Sequence, residues 1–407
     1  MGTSRRRRWR PPPLNAWPLE FRFAWGTSPN PLFARTRHWL RGELPRRFPC
    51  VASSVGGGAP SLAYAGPVEG LSHVLPFLEE RRGPAGRTPL RVAGRIRWTS
   101  LAARRNLPPV DLLAVGCTAR RAARLPTRAS LVLPFRLHLV VPLAPDPAVV
   151  RQRVSRKDRQ QFARQQRALD WRLETATTRA DFDDFYERFH LPTMRRRHGE
   201  ATRSLDRESA YHCVLSRGEL FFVTQRGERV AGMLCRWGPG RRTLTLRLAG
   251  VLDGAEEHYR SGVLMAVYLL IQEWAALRHV TSLDLSGCEP FLSKGIFQFK
   301  RKLHPVVTRP ADHFAGKRLW LQVQRDSPEV RDFLVANPVI AEDDAGGLEA
   351  VYFFDRERPA RLDYRWQGTG LSRRRLIELD AFLADLPAGA AGRGARFTGS
   401  ASSVSAS

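Results

Sequence analysis

The sequence predicts a mixed α/β protein of two domains, the second a mixed sheet with helices on both faces. Three observations carry this. The chain has 407 residues, and at roughly 100–200 residues per domain that is enough for two. Its second half runs strand, helix, helix, three strands, helix, strand, an order that builds a mixed sheet with helices on both faces. Within it, Tyr259 to Leu277 carries Leu264, Val267, Tyr268, Ile271 and Trp274 along one face of an amphipathic helix.

In chain order, Leu19 to Trp25 and Cys50 to Val55 read as short strands, and Leu71 to Arg82 as a short helix. Val110 to Cys117 and Leu131 to Pro142 are apolar and β-branched enough for buried strands. Ala148 to Leu169 is polar and rich in arginine, with almost no apolar stripe, and reads as a connector helix. Trp171 to Ala176 is a strand. Arg179 to His198 is a helix, because Phe182, Phe185, Tyr186 and Phe189 recur at helical spacing, and Ser204 to Ser216 is another. The strands Glu219 to Gln225, Arg229 to Trp237 and Arg241 to Ala249 are separated by glycine-containing turns. Ser282 to Leu285 follows the long helix and leads into the loop Ser286 to Pro290. Beyond residue 310 come strands at Leu319 to Arg325 and Leu348 to Phe354, a helix at Pro328 to Ala336, and a terminal helix from Leu371 to Leu386 that Pro387 stops. The expected organisation is a basic tail over 1–16, a first domain over 17–147, the connector over 148–169, a second domain with an extension over 170–386, and a Gly/Ala/Ser-rich tail over 387–407.

Composition excludes several classes. Five cysteines with no C-x-x-C spacing point to a reducing compartment and away from a disulfide framework or zinc site. His190 and His198 lie more than two helical turns apart, so no metal is expected. No apolar run reaches ~18 residues and the start lacks a signal-like segment, so a cytoplasmic protein is expected, with a membrane-peripheral one as the alternative. The net charge is +27. Residues 1–150 hold 24 Lys/Arg against 7 Asp/Glu. Such a field attracts polyanions, with tRNA and anionic membrane surfaces as the candidate partners of the first half. Only five of the 66 basic residues are lysine, so codon usage explains the same charge equally well.

Two stretches carry a family resemblance. One is the basic connector from Val154-Ser155-Arg156-Lys157 to Arg167, with the helix after it that ends Met194-Arg195-Arg196-Arg197-His198-Gly199. The other is Leu283-Asp284-Leu285-Ser286-Gly287 followed by the run from Pro290 to Lys302, which contains Gly295-Ile296-Phe297-Gln298-Phe299-Lys300. Residues 148–310 thereby resemble the FemAB-like branch of the GNAT (acyl-CoA N-acyltransferase) superfamily. That branch includes peptidoglycan interpeptide-bridge aminoacyltransferases and acetyltransferase-like proteins of exopolysaccharide clusters. The resemblance implies tandem GNAT-like domains, the first degenerate. It implies transfer of an acyl or aminoacyl group to an amine on a lipid-linked, sugar-linked or other cell-envelope acceptor. Acyl-CoA such as acetyl-CoA is the implied co-substrate. The sequence departs from the usual CoA-binding motif, since Tyr259-Arg260-Ser261-Gly262-Val263 holds a single glycine, and aminoacyl-tRNA stands as the alternative donor.

Amide formation needs a polarised carbonyl, a neutral amine and a place for the leaving group. Lys300, in the Phe-Lys run, is expected to line the acceptor side of the cleft and act through its charge, with Lys294 and Lys302 as weaker candidates. Glu289 and Asp284, at the end of the central strand, are candidate proton acceptors, set against the plainer reading of carboxylates paired with arginine. Arg260, Ser261 and Gly262 would offer helix N-terminal N–H groups to the donor's phosphates. Gly250 suits the distorted strand exit where a backbone N–H would polarise the carbonyl. Cys288 as a nucleophile, and His258 or Tyr259 as proton donors, are weaker than their packing roles. A competing class is a non-catalytic docking module that uses the basic first half against nucleic acid or anionic membrane.

Overall fold

The structure, a computed structural model, describes residues 18–28, 30, 32–33, 36, 47–56, 58–83, 88–198 and 204–386. The expected tails at 1–16 and 387–407 lie outside them.

Among the described residues, sixteen strands form three sheets. The first sheet uses β1 (Arg47–Ser54), β2 (Leu62–Ala65), β3 (Leu90–Arg97), β4 (Leu112–Thr118), β5 (Ser130–Pro134) and β13 (Lys317–Val323), in the order β3-β1-β2-β4-β13-β5. The second uses β6 (Leu137–Pro142), β7 (Trp171–Ala176), β8 (Gly218–Gln225), β9 (Glu228–Trp237), β10 (Thr243–Val251), β11 (Ser282–Cys288) and β12 (Val306–Thr308), in the order β12-β6-β11-β10-β9-β8-β7. A small third sheet joins β14 (Val339–Glu342), β15 (Leu348–Phe354) and β16 (Arg374–Glu378).

The two large sheets follow one plan. Each has a single parallel pair, β2 with β4 and β10 with β11, and every other pairing in it is antiparallel. In each, the strand beside the parallel pair comes from the other half of the chain. β6 pairs with β11 in the second sheet, and β13 pairs with β4 and β5 in the first. This is the mixed α/β class that the sequence predicts, in the tandem arrangement that the GNAT resemblance implies. The chain does not divide between the sheets at one point, because the stretch read as a single strand from Leu131 to Pro142 turns at Phe135–Arg136 and serves both.

The parallel pair of the first sheet is sealed. Leu62–Ala65 pairs in register with Leu112–Val115, and Gly66 then packs so closely on the Gly116 backbone that a Cβ would lie 2.5 Å from its carbonyl oxygen. Tyr64 is fully buried and donates its hydroxyl to the Pro67 carbonyl. The parallel pair of the second sheet holds register only over Thr243–Thr245 with Ser282–Asp284. Beyond that the strands part, and a cleft opens there.

The cleft takes lining residues from the helices α1 (Leu19–Thr27), α3 (Val263–Ala276) and α4 (Gly295–Arg301), while α2 (Arg156–Leu169) packs against β7 and α3. The stripe on α3 buries Val267, Tyr268 and Ile271 against the second sheet, each such side chain worth roughly 1.5–3 kcal/mol. The long helix expected over 259–277 is two helices, because Gly262 adopts φ +84° and ends Glu256–Ser261. α2 is the expected basic connector. It is capped by Ser155, whose side chain accepts from the Asp158 N–H, and anchored by Phe162 stacked on Trp171.

Two expectations are corrected. Leu19 to Trp25 is helical. Its alternating pattern suits a strand, but no sheet edge takes it, and as a helix it stacks Phe21 on Trp25 and sets Phe23 beneath the Arg236 guanidinium. The terminal helix of Leu371 to Leu386 is instead β16 followed by the short helix Leu379–Leu383. β16 fills the open edge of β15, and Arg373 and Arg375 reach the buried Glu349 carboxylate, each at 2.8 Å.

His190 belongs to a π-helical turn, Phe185–His190, that packs on β10. Its Nδ1 lies 2.9 Å from the Ala249 carbonyl and its Nε2 at 2.5 Å from Ser204 Oγ. Burial lowers its affinity for a proton, and the Ala249 carbonyl only partly offsets this. A folded-state pKa below the unfolded value of about 6.5 means that unfolding takes up a proton at acid pH. Stability is therefore full above about pH 6.5 and falls as pH drops below it. Thermal melts between pH 7.5 and 5 are expected to show this loss, and His190→Gln to flatten it. A wild-type melting temperature independent of pH across that window would contradict it.

Candidate active site

The cleft has a volume of about 1270 Å³ and runs along the parted edges of β10 and β11. Two local features part them. β10 carries a register shift between Leu246 and Leu248. The shift reverses its facing: Leu246 packs into the core beneath α3, while Leu248 packs on the opposite face against Phe185 and Phe189. Arg247 stands at the shift and lines the cleft. On β11, Ser286 adopts φ +62°, an uncommon backbone state for a residue with a side chain. Its N–H donates to Asp284 Oδ1 at 2.9 Å, and its hydroxyl donates to the Leu246 carbonyl across the gap.

Lys300 secures this turn. It is buried on α4, and its ammonium donates to the Leu285 carbonyl and, at 3.3 Å, to the Ser286 carbonyl. Burial pulls its pKa down, with the neighbouring Cys288 and Asp284 opposing. The ammonium touches the cleft but spends its hydrogen bonds on the strand end, so Lys300 positions the wall rather than reaching for an acceptor. Lys300→Met, which keeps the length without the donors, leaves two carbonyls short of a partner. At about 1–3 kcal/mol per buried unsatisfied group, the folded state should lose about 2–6 kcal/mol in urea unfolding. An unchanged midpoint would remove this role.

Asp284 finds a partner that sequence reading missed. His138 of β6 places Nδ1 2.9 Å from Asp284 Oδ2. Gly287 permits this approach, since a Cβ there would lie 2.8 Å from the Leu137 carbonyl oxygen and 3.1 Å from the His138 ring. With Nδ1–H donating to the carboxylate, Nε2 is left as the basic nitrogen, and Asp312 Oδ2 stands 3.9 Å from it. Both His138 and Asp284 line the cleft.

The other expected residues lie elsewhere or act differently. Glu289 is buried behind the strand end. Burial pushes its carboxyl up, but Arg136 at 3.8 Å and Lys294 at 3.4 Å outweigh that and hold it below the ordinary glutamate value. It is a buried ion-paired carboxylate, the plainer of its two readings. Lys294 also sits 4.4 Å from the centre of the Phe77 ring, and Lys302 pairs with Asp158. Gly250 is a packing glycine, since a Cβ there would strike the Phe189 backbone at 2.4 Å; the strand distortion is at Arg247 instead. Arg260 points to solvent and pairs with Glu256, Ser261 donates to the His258 carbonyl, and Gly262 faces Gln165 of α2. None of these three lines the cleft. The Cys288 thiol is buried and its pKa pushed up to about 11, which leaves it protonated. Tyr268 of α3 does line the cleft, and burial raises its phenol pKa, so it remains a proton donor.

No protein-family model matches the sequence, and no curated protein matches it. Among solved structures, the chain is similar to L-PGS from Bacillus licheniformis, with 11% identity over 75% of this chain and 96% of that one and a TM-score of 0.34. It is similar to FemX, with 11% identity over 65% and 82% and a TM-score of 0.37. It is also similar to a GCN5-related N-acetyltransferase from Kribbella flavida, with 13% identity over 72% and 96% and a TM-score of 0.25. Similarity at this level identifies no family. Among the described residues, no helix is long and apolar enough to cross a membrane.

Proposed function

We propose that the chain is an N-acyltransferase that works in the cleft between β10 and β11. The observation that carries this is the His138–Asp284 pair on the wall of a parted parallel strand pair. The parted edge offers the backbone groups of β10 to a donor laid along it. Asp284 fixes the His138 ring so that Nε2 takes the proton of an incoming ammonium or amine. The amine nitrogen attacks the acyl carbonyl carbon, a C–N bond forms, and the bond to the thiol or hydroxyl leaving group breaks. Tyr268 supplies a proton to that leaving group and is reprotonated from solvent, and His138 passes each proton that the nitrogen loses to solvent.

The donor is an acyl-CoA thioester or an aminoacyl-tRNA ester. Arg95 and Arg97 on edge strand β3, with Arg156, Arg164 and Arg167 on α2, are exposed and favour a polyanionic donor by their charge. An acceptor amine on an envelope-linked or polysaccharide-linked molecule rests on the resemblance of residues 148–310 alone. Separate titrations of acetyl-CoA and charged tRNA into the full chain, followed by mass spectrometry of added amines, test the reading. Binding of one donor with acyl transfer supports it. A folded protein that binds neither donor favours the docking module.

A further inference from the structure

The cleft carries more positive charge than its own acids neutralise. Arg217 pairs with Glu20 at 2.7 Å and Arg241 with Glu219 at 3.2 Å, while Arg136 has Glu289 and His138 has Asp284. Two arginines are left over on neighbouring strands. Arg236 of β9 and Arg247 of β10 both line the cleft, and among the described residues neither guanidinium has an ion pair or a hydrogen-bond partner. The Nε of Arg236 is buried with its hydrogen bond unmade, and its guanidinium rests 5.1 Å from the centre of the Phe23 ring of α1. Burial lowers the proton affinity of both, and each is depressed further by arginine neighbours, Arg247 itself being one for Arg236. Asp312 and Asp284 offset Arg247 only in part. Both residues are half-buried in the cleft wall, and a half-buried guanidinium with no partner in the protein is open to an external anion.

We propose that Arg236 and Arg247 form a subsite for a phosphoanion carried by a substrate. Two planar forks on adjacent strands suit the several oxygens of a diphosphate or phosphate monoester better than a single carboxylate. The subsite lies beside the strand distortion and not at the start of α3, where the sequence placed phosphate binding. Only the source of the phosphoanion, donor or acceptor, rests on the acyl-transfer reading. Binding of the anion is independent of it.

The probe is inorganic pyrophosphate, titrated calorimetrically into the full chain at low salt. Wild type is expected to bind it, and Arg236→Gln and Arg247→Gln each to weaken binding by about tenfold or more. Arg260→Gln, outside the cleft, should bind like wild type. Without ligand, both cleft variants should melt at or above the wild-type temperature, since each removes an unmatched cation. A merely structural arginine would lower it. Competition then assigns the source. If CoA displaces pyrophosphate and pantetheine does not, the donor's phosphates occupy the subsite; if CoA binds and leaves pyrophosphate in place, the acceptor's do. The proposal is overturned if wild type fails to bind pyrophosphate, if both glutamine variants bind it undiminished, or if both melt well below wild type.

Discussion

Replacing His138 with alanine is expected to lower kcat/KM for acyl transfer by about 10²–10⁴, the range for loss of a positioned general base. The loss should fall mainly in kcat, because Nε2 acts on the proton of the attacking amine and not on donor binding. The variant's rate should climb with pH toward the pKa of the acceptor amine, since hydroxide and free amine replace the missing base. Asp284→Asn should act in the same direction. An amide in that place no longer selects the tautomer with its proton on Nδ1, and the Ser286 N–H loses a charged acceptor. Neither change empties a core position, because both side chains line the cleft. Steady-state kinetics with circular dichroism as the folding check decides this. Wild-type turnover in a folded His138→Ala protein would remove the base from the mechanism.

Splitting the chain at residue 147 is expected to abolish folding of both pieces. The N-terminal piece loses β13 from the middle of its sheet, leaving β4 and β5 without their shared neighbour. Leu319, Trp320, Leu321 and Val323 of β13 are all buried, and at roughly 1.5–3 kcal/mol each they contribute about 6–12 kcal/mol. That is comparable to the whole stability of an ordinary domain, about 5–15 kcal/mol. The C-terminal piece loses β6, which stands between β11 and β12 and carries His138. Co-expression of the two pieces should restore a soluble complex, since each supplies the strand that the other lacks. Cooperative urea unfolding of either piece alone would contradict the exchange of strands.

Local order was legible where the signal is local. The stripe of α3 and the hairpin turns at Arg226-Gly227 and Gly238-Pro239-Gly240 sit in short windows, and strands β8, β9 and β10 lie within two residues of where these signals place them. The exchange of β6 and β13 was not legible, because pairing between residues 137–142 and 282–288 leaves no trace in either segment's own pattern. The site was half legible for the same reason. Asp284 and Lys300 stand out beside a strand-end glycine, whereas the partner of Asp284 is 146 positions away in sequence. Gly250 drew attention as the residue type that tolerates distortion. The distortion occurs at Arg247 because β10 must serve β9 along its length while parting from β11 halfway, and that conflict belongs to the sheet rather than to any residue.

Hydrogen–deuterium exchange of the full chain, with and without each candidate donor, tests the central claim most directly. It needs no knowledge of the acceptor. The account predicts that a bound acyl-CoA or aminoacyl-tRNA slows exchange in Leu246–Val251 of β10 and Leu285–Cys288 of β11, with a smaller effect at the sealed pair of β2 and β4. Protection confined to the basic first half and α2, with the β10 and β11 edges exchanging as in the free protein, would contradict it.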